Sequence, residues 1–195
     1  MRVKRGLYAV GHLRKTPRMA KDDMPRLRVG PLERPPHVVL LEPEIPQNTG
    51  NIARLAGALG LPLHLVGPLG FSIDEKAVRR AGVDYWHLVD IRTHPDLATF
   101  EHAEPEARIK LFSAVGTKSY LEADFAPGDA LIFGRESTGL PLPLLEKHAD
   151  ACYALPTIGA VRSLNLANCV AVVAFECLRQ LGAFREPRLE ALPPK

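Results

Sequence analysis

Three short polar segments carry the residues best suited to chemistry. In Glu42-Pro-Glu-Ile-Pro-Gln-Asn-Thr-Gly-Asn-Ile-Ala-Arg54, Asn48 and Thr49 are able to cap a helix whose first turns present Asn51 and Arg54, three positions apart and so on one face. A capped helix with a solvated Arg54 is the plain reading of this segment. In Phe133-Gly-Arg-Glu-Ser-Thr-Gly-Leu-Pro141, Gly134 and Gly139 bracket four polar residues and permit close backbone approach to a ligand. The Glu136 carboxylate can pair with a cation or accept ribose hydroxyls, unless the stretch is only a polar turn. In Leu155-Pro-Thr-Ile-Gly-Ala-Val-Arg-Ser-Leu-Asn-Leu-Ala-Asn168, Ser163 stands at an expected N-cap with Asn165 in the first helical turn, where free backbone N–H groups meet ligand oxygens. Capping accounts for Ser163, but not for Arg162 and Asn165 beside it.

Each segment follows an expected strand and runs towards a helix. Strands are predicted at His37–Glu42, Leu63–Gly67, Tyr85–Ile91, Lys110–Val115, Ala130–Gly134 and Ala151–Leu155. Helical spacing covers Asn51–Leu59, stopped by Gly60, and Asp74–Ala81, stopped by Gly82. Further helices are predicted at Pro95–Ala103, from about Pro141, and from Leu164 to Leu181. Strands alternating with helices imply an α/β fold with a mainly parallel sheet and helices on both faces, and ligands bind where loops leave the carboxyl ends of the strands.

Composition narrows the class. Apolar residues form 46% of the 195-residue chain and charged residues 24%, the balance of one globular domain. The richest apolar stretch, Leu164–Leu181, is interrupted by Asn165, Asn168, Glu176, Arg179 and Gln180, so no membrane span is expected. Three cysteines without Cys-x-x-Cys spacing suit a reducing cytoplasm, and seven scattered histidines lack a two-ligand helical motif, so no metal is expected. Cys169 and Cys177 read as inert core thiols. Residues 1–36 hold ten Lys/Arg against three Asp/Glu, and the remainder fifteen against nineteen. Such a basic segment on an acidic body points to a polyanionic partner. We read residues 1–36 as a flexible basic arm with a Pro-rich hinge, 37–182 as the domain and 183–195 as a tail; a targeting segment, or a translation start at Met24, are alternatives for the arm.

In this order and spacing the three segments resemble the signature motifs of the SPOUT ribose methyltransferases, over about residues 37–182. The first and third are most similar to those of the small tRNA (cytidine/uridine-34) 2′-O-methyltransferases. The resemblance implies a C-terminal trefoil knot, a homodimer packed through it, S-adenosylmethionine as methyl donor and tRNA as partner. It also implies cofactor contacts at Gly134, Leu155 and Ser163, with Val115 as a further wall. Ala114 is the alternative wall, because Ser113-Ala-Val-Gly-Thr-Lys118 departs from the family spacing. Asn48, Arg54, Glu136, Ser163 and Asn165 match the motif polar positions, Arg54 being the catalytic candidate. The same fold acting on ribosomal RNA is one rival; a non-catalytic RNA-binding module is another, opposed by the presence of Arg54, Glu136, Ser163 and Asn165. An ordinary nucleotide-binding enzyme lacks support, since neither Gly-x-Gly-x-x-Gly nor a Gly-Lys-Ser/Thr loop occurs.

Overall fold

The computed structural model describes residues 25–71, 86–161 and 163–190. The predicted Asp74–Ala81 helix, Tyr85, Arg162 and most of the basic arm therefore lie outside the described residues.

A buried run of apolar residues in each strand builds a seven-stranded sheet. In chain order its strands are β2 (His37–Leu41), β3 (Leu63–Val66), β4 (Ile91–His94), β5 (Ile109–Phe112), β6 (Lys118–Ser119), β7 (Ala130–Phe133) and β8 (Cys152–Ala154). Their spatial order is β4-β3-β2-β7-β5-β8-β6, and every pairing is parallel. Because the pleat alternates, Val38, Leu40, Leu131 and Phe133 face one apolar layer, while Val39, Leu41, Ala130 and Ile132 face the other.

Helices cover both layers. α1 (Pro46–Leu59) and α4 (Leu166–Gln180) seal the first through Ile52, Ala53, Ala56, Val170, Val173, Ala174 and Cys177. α2 (Leu97–Ala103) and α3 (Leu142–Lys147) seal the second through Phe100, Leu144 and Leu145. α1 stops at Gly60, whose φ of 66° is the left-handed cap that glycine adopts freely.

Several expected boundaries move. The described part of the predicted Tyr85–Ile91 strand is instead a 3₁₀ turn at Trp86–Leu88, with β4 starting at Ile91. Only Ile91 is common to the predicted strand and β4. β5 ends at Phe112 rather than Val115, because Ser113 to Thr117 cross beside β8 to reach β6, which runs parallel on its other side. Gly116 makes that crossing possible: a Cβ there would lie 2.5 Å from the Tyr153 carbonyl carbon. β6 was too short to read from periodicity.

Among the described residues, 25–29 and 187–190 belong to a separate unit. Its described part is an antiparallel pair, β1 (Arg26–Arg28) with β9 (Arg188–Glu190), in register Arg26 to Glu190 and Arg28 to Arg188. Segments read as arm and tail are thus joined as a ribbon.

Three histidines line up across β2, β3 and β4. His37 Nδ1 lies 3.0 Å from His64 Nε2, and His64 Nδ1 2.9 Å from His94 Nε2. The His64 ring is fully buried against the edge of Phe100, and burial, with the other two imidazoles beside it, holds its pKa down to about 3.

Candidate functional site at the carboxyl edge of the sheet

Parallel strands deliver their carboxyl ends to one edge. The first loop leaves β2 there, the second leaves β7 next to it, and the third leaves β8 two strands further along. Loops from distant parts of the chain are thereby brought to one rim, as open α/β sheets require of a ligand site.

Glu136 ties the first two loops together. Its carboxylate accepts the backbone N–H of Glu44 at 2.9 Å, that of Ile45 at 3.3 Å, and the Asn48 side-chain amide at 2.9 Å. The Glu44 carboxylate answers from the other side, accepting from Ser137 N at 3.0 Å and Ser137 Oγ at 2.9 Å. Arg135 forms an ion pair with Glu42, which has a φ of 52°, a left-handed backbone unusual for a residue with a side chain. Glu42, Glu44, Arg135 and Ser137 all lay in the segments singled out, but their mutual pairing has no signature in sequence.

Asn165 adds the third loop. Its side-chain amide donates to Asn48 Oδ1 at 2.9 Å, while its own Oδ1 accepts from Ala167 N, also at 2.9 Å. A hydrogen-bonded chain Glu136–Asn48–Asn165 therefore runs through all three loops. Asn48 is buried, as a residue with both amide atoms engaged can be.

Two capping expectations are corrected. α1 begins at Pro46 after an Ile45 cap without a side-chain bond, so Asn48 and Thr49 lie inside the helix rather than at its start. Proline at the first helical position is preorganised for that start, and Asn48 is released to face Glu136. At the other end of the domain Asn165, not Ser163, is the N-cap of α4. Ser163 stays exposed in the loop before it. Buried Thr49 Oγ1 has no hydrogen-bond partner among the described residues.

The other candidates distribute as follows. Arg54 is exposed on α1, one turn beyond exposed Asn51, as the spacing implied. Val115 lies in the turn after β5 with 69% of its surface exposed, and Leu155 is half-buried at the end of β8. Gly134 is buried, but the side where a Cβ would stand is filled by the returning loop: the Gly139 carbonyl carbon would be 2.3 Å away. Part of the need for glycine is thus internal packing rather than ligand approach. Burial pushes the Cys177 thiol up to about 12, and those of Cys152 and Cys169 upwards, in keeping with inert thiols.

The rim thus gathers backbone N–H groups and polar side chains from three loops, and Arg54 lies exposed about two turns into α1. Residues 35–175 match the model of the SpoU rRNA Methylase family. The chain is 44% identical over 160 residues to a tRNA (cytidine(34)-2′-O)-methyltransferase of Acidovorax sp. (strain JS42), spanning 80% of this chain and 98% of that one. It is similar to a solved structure concerned with the 2-OH methylation of C/U34 on tRNA, with 51% identity, a TM-score of 0.71, and coverage of 76% and 97%. An AdoMet-bound rRNA methyltransferase from Sinorhizobium meliloti superposes with a TM-score of 0.66 at 26% identity, covering 79% of this chain and 62% of that one.

Proposed function

The chain belongs to the SpoU methylase family, and from that premise we propose that it transfers the methyl group of S-adenosylmethionine to the ribose 2′-hydroxyl of nucleotide 34 of tRNA. The observation that carries the reading is the Glu136–Asn48–Asn165 chain, which brings the three motif loops to one rim, taken with the tRNA specificity named for the relatives.

The rim suits the donor chemically. Apolar Val115, Ile158 and Val161 are exposed on the loops after β5 and β8, and Leu155 is half-open between them, the kind of surface an adenosine needs. On this reading Gly134, Leu155 and Ser163 hold S-adenosylmethionine, with Val115 as a wall. The bound donor supplies a sulfonium methyl group. The ribose oxygen gains that carbon as the carbon–sulfur bond breaks and the sulfur departs neutral, so the protein's task is alignment and removal of one proton.

An arginine is a poor proton acceptor near neutral pH. Arg54 therefore acts electrostatically, holding the ribose or its phosphate and stabilising charge developing on the 2′-oxygen, while water or a substrate phosphate takes the proton. Asn48 and Glu136 position α1, which carries Arg54, and Ser163 and Asn165 orient the third loop. No step requires a metal. The domain division proposed is the basic segment 1–36, the methyltransferase domain 37–182 and the tail 183–195, with the arginines of the basic segment following the RNA backbone.

The active species proposed is a homodimer packed through a C-terminal trefoil knot. β8 lies between β5 and β6, strands consecutive in sequence, the placement that threading would produce. Exposed Val172 and Phe175 give α4 an apolar outer face for a second copy, with exposed Leu164 in the loop before it. Cytoplasm is the compartment where the substrate occurs, and no described helix is long and apolar enough to cross a membrane.

The test is direct. Labelled S-adenosylmethionine is incubated with undermodified total tRNA or with ribosomal RNA, and the labelled nucleotide is mapped. Label at the ribose of nucleotide 34 is expected; label confined to ribosomal RNA overturns the tRNA reading.

A further inference from the structure

Histidines dispersed in the sequence converge at the opposite side of the domain from the three loops. His37 opens β2, His64 sits on β3, and Glu104 ends α2; one donor atom from each lies within 4.8 Å of the other two. We infer that His37, His64 and Glu104 bind a divalent transition-metal ion of the zinc class, with His94 and Arg92 orienting the ligands.

The donors are close enough to converge on one ion. With metal–ligand bonds of about 2.0–2.2 Å, neighbouring donors in a tetrahedral site stand roughly 3.3–3.5 Å apart. With one donor atom taken from each residue, His37, His64 and Glu104 lie within 4.8 Å of one another, so the His37 ring and the Glu104 carboxylate, both at the cavity edge, rotate inwards to close on the ion. Two imidazoles and one carboxylate form the donor set of many open zinc sites, in which water takes the fourth position.

The surroundings supply what such ligands need. His64 Nδ1 meets His94 Nε2 at 2.9 Å; donation of that N–H to His94 leaves the Nε2 lone pair turned towards His37. Glu104 is held by one oxygen only, its Oε1 lying 2.5 Å from Arg92 Nη1, which leaves Oε2 on the imidazole side. Arg92 is also paired with Asp90, so the two carboxylates outweigh its charge and leave the cluster net negative. A cavity of about 620 Å³, bordered by His37, Asp90, Arg92 and Glu104, gives an ion an entry path and room for its water. An ion held there would pin β2 and β3 to the end of α2.

The full-length chain, stripped with chelator, is titrated with Zn²⁺ by calorimetry and with Co²⁺ by visible absorption. One ion per chain is expected, with the visible bands of tetrahedral Co²⁺. His37→Ala and Glu104→Gln, both at the cavity edge, should fold normally by circular dichroism and each weaken Zn²⁺ binding by about tenfold or more. His102→Ala, at an exposed position, should leave affinity unchanged. Absence of saturable Zn²⁺ binding, or equal affinity in His37→Ala, Glu104→Gln and the parent, overturns the site and leaves the three histidines as a hydrogen-bonded row of neutral rings.

Discussion

Asn165 donates its side-chain amide to Asn48 across 117 positions of sequence, at 2.9 Å. Through this bond the N-terminus of the last helix is coupled to the first, and Asn48 passes the coupling on to Glu136. The two roles of Asn165, capping α4 and holding Asn48, are separable. Asn165→Ala should lose both, costing about 0.5–2 kcal/mol for the cap alone. Asn165→Asp keeps the acceptor for Ala167 N but not the donor, so stability in denaturant melts should largely return while methyl transfer stays depressed. Equal recovery of both would assign Asn165 to capping only.

Glu136 satisfies three donors of the first loop and its helix. Glu136→Ala leaves them without a partner in a half-buried place, and a loss of about 1–3 kcal/mol is expected from urea unfolding. Turnover should fall more steeply than stability, because the first loop also positions Arg54. Single-turnover kinetics at saturating tRNA check the separation.

Arg54 is exposed, so Arg54→Ala should change stability by no more than about 1 kcal/mol, the range of an exposed polar contact. S-adenosylmethionine affinity, measured by calorimetry, should persist, while methyl transfer falls to near background. Arg54→Lys should recover little, since an ammonium does not reproduce the planar fork. Full activity in Arg54→Lys would show that a point charge is enough.

Gly134→Ala places a Cβ 2.3 Å from the Gly139 carbonyl carbon and 2.5 Å from Leu140 N, both backbone atoms. The second loop must move, and a cost of about 1–3 kcal/mol is expected along with weakened S-adenosylmethionine binding. Gly159→Ala meets nothing within 4 Å and should melt with the parent. Thermal melts of the two variants side by side make the comparison.

Cys177, whose thiol burial raises to about 12, should resist iodoacetamide in the native chain near pH 8 and label fully in denaturant, as read by mass spectrometry. An unfolded thiol ionises near pH 9, so between there and about pH 12 the unfolded state holds fewer protons than the folded one. Its contribution to stability is complete below that window and is lost as pH rises through it. A Cys177→Ala variant should show a shallower alkaline decline in melting temperature than the parent.

The strands at His37, Leu63 and Ala130 and the Gly60 stop were legible because burial on both faces of a parallel sheet demands continuous apolar runs, and a left-handed cap favours glycine. The three loops were legible as well, since their polar and glycine-rich composition exceeds what a connection requires. Sequence thus determined which residues stand at the carboxyl ends of the strands, and the motif order determined the family. It did not determine that Asn48 belongs inside α1, that Asn165 rather than Ser163 caps α4, or that Glu136 spends its carboxylate on the first loop. Nor did the scattered histidines announce that His37, His64 and His94 form one row. Local periodicity reports which face of an element is buried, whereas the Glu136–Asn48 bond and the histidine row join residues 27 to 88 positions apart and exist only once strand order and register have set the elements side by side.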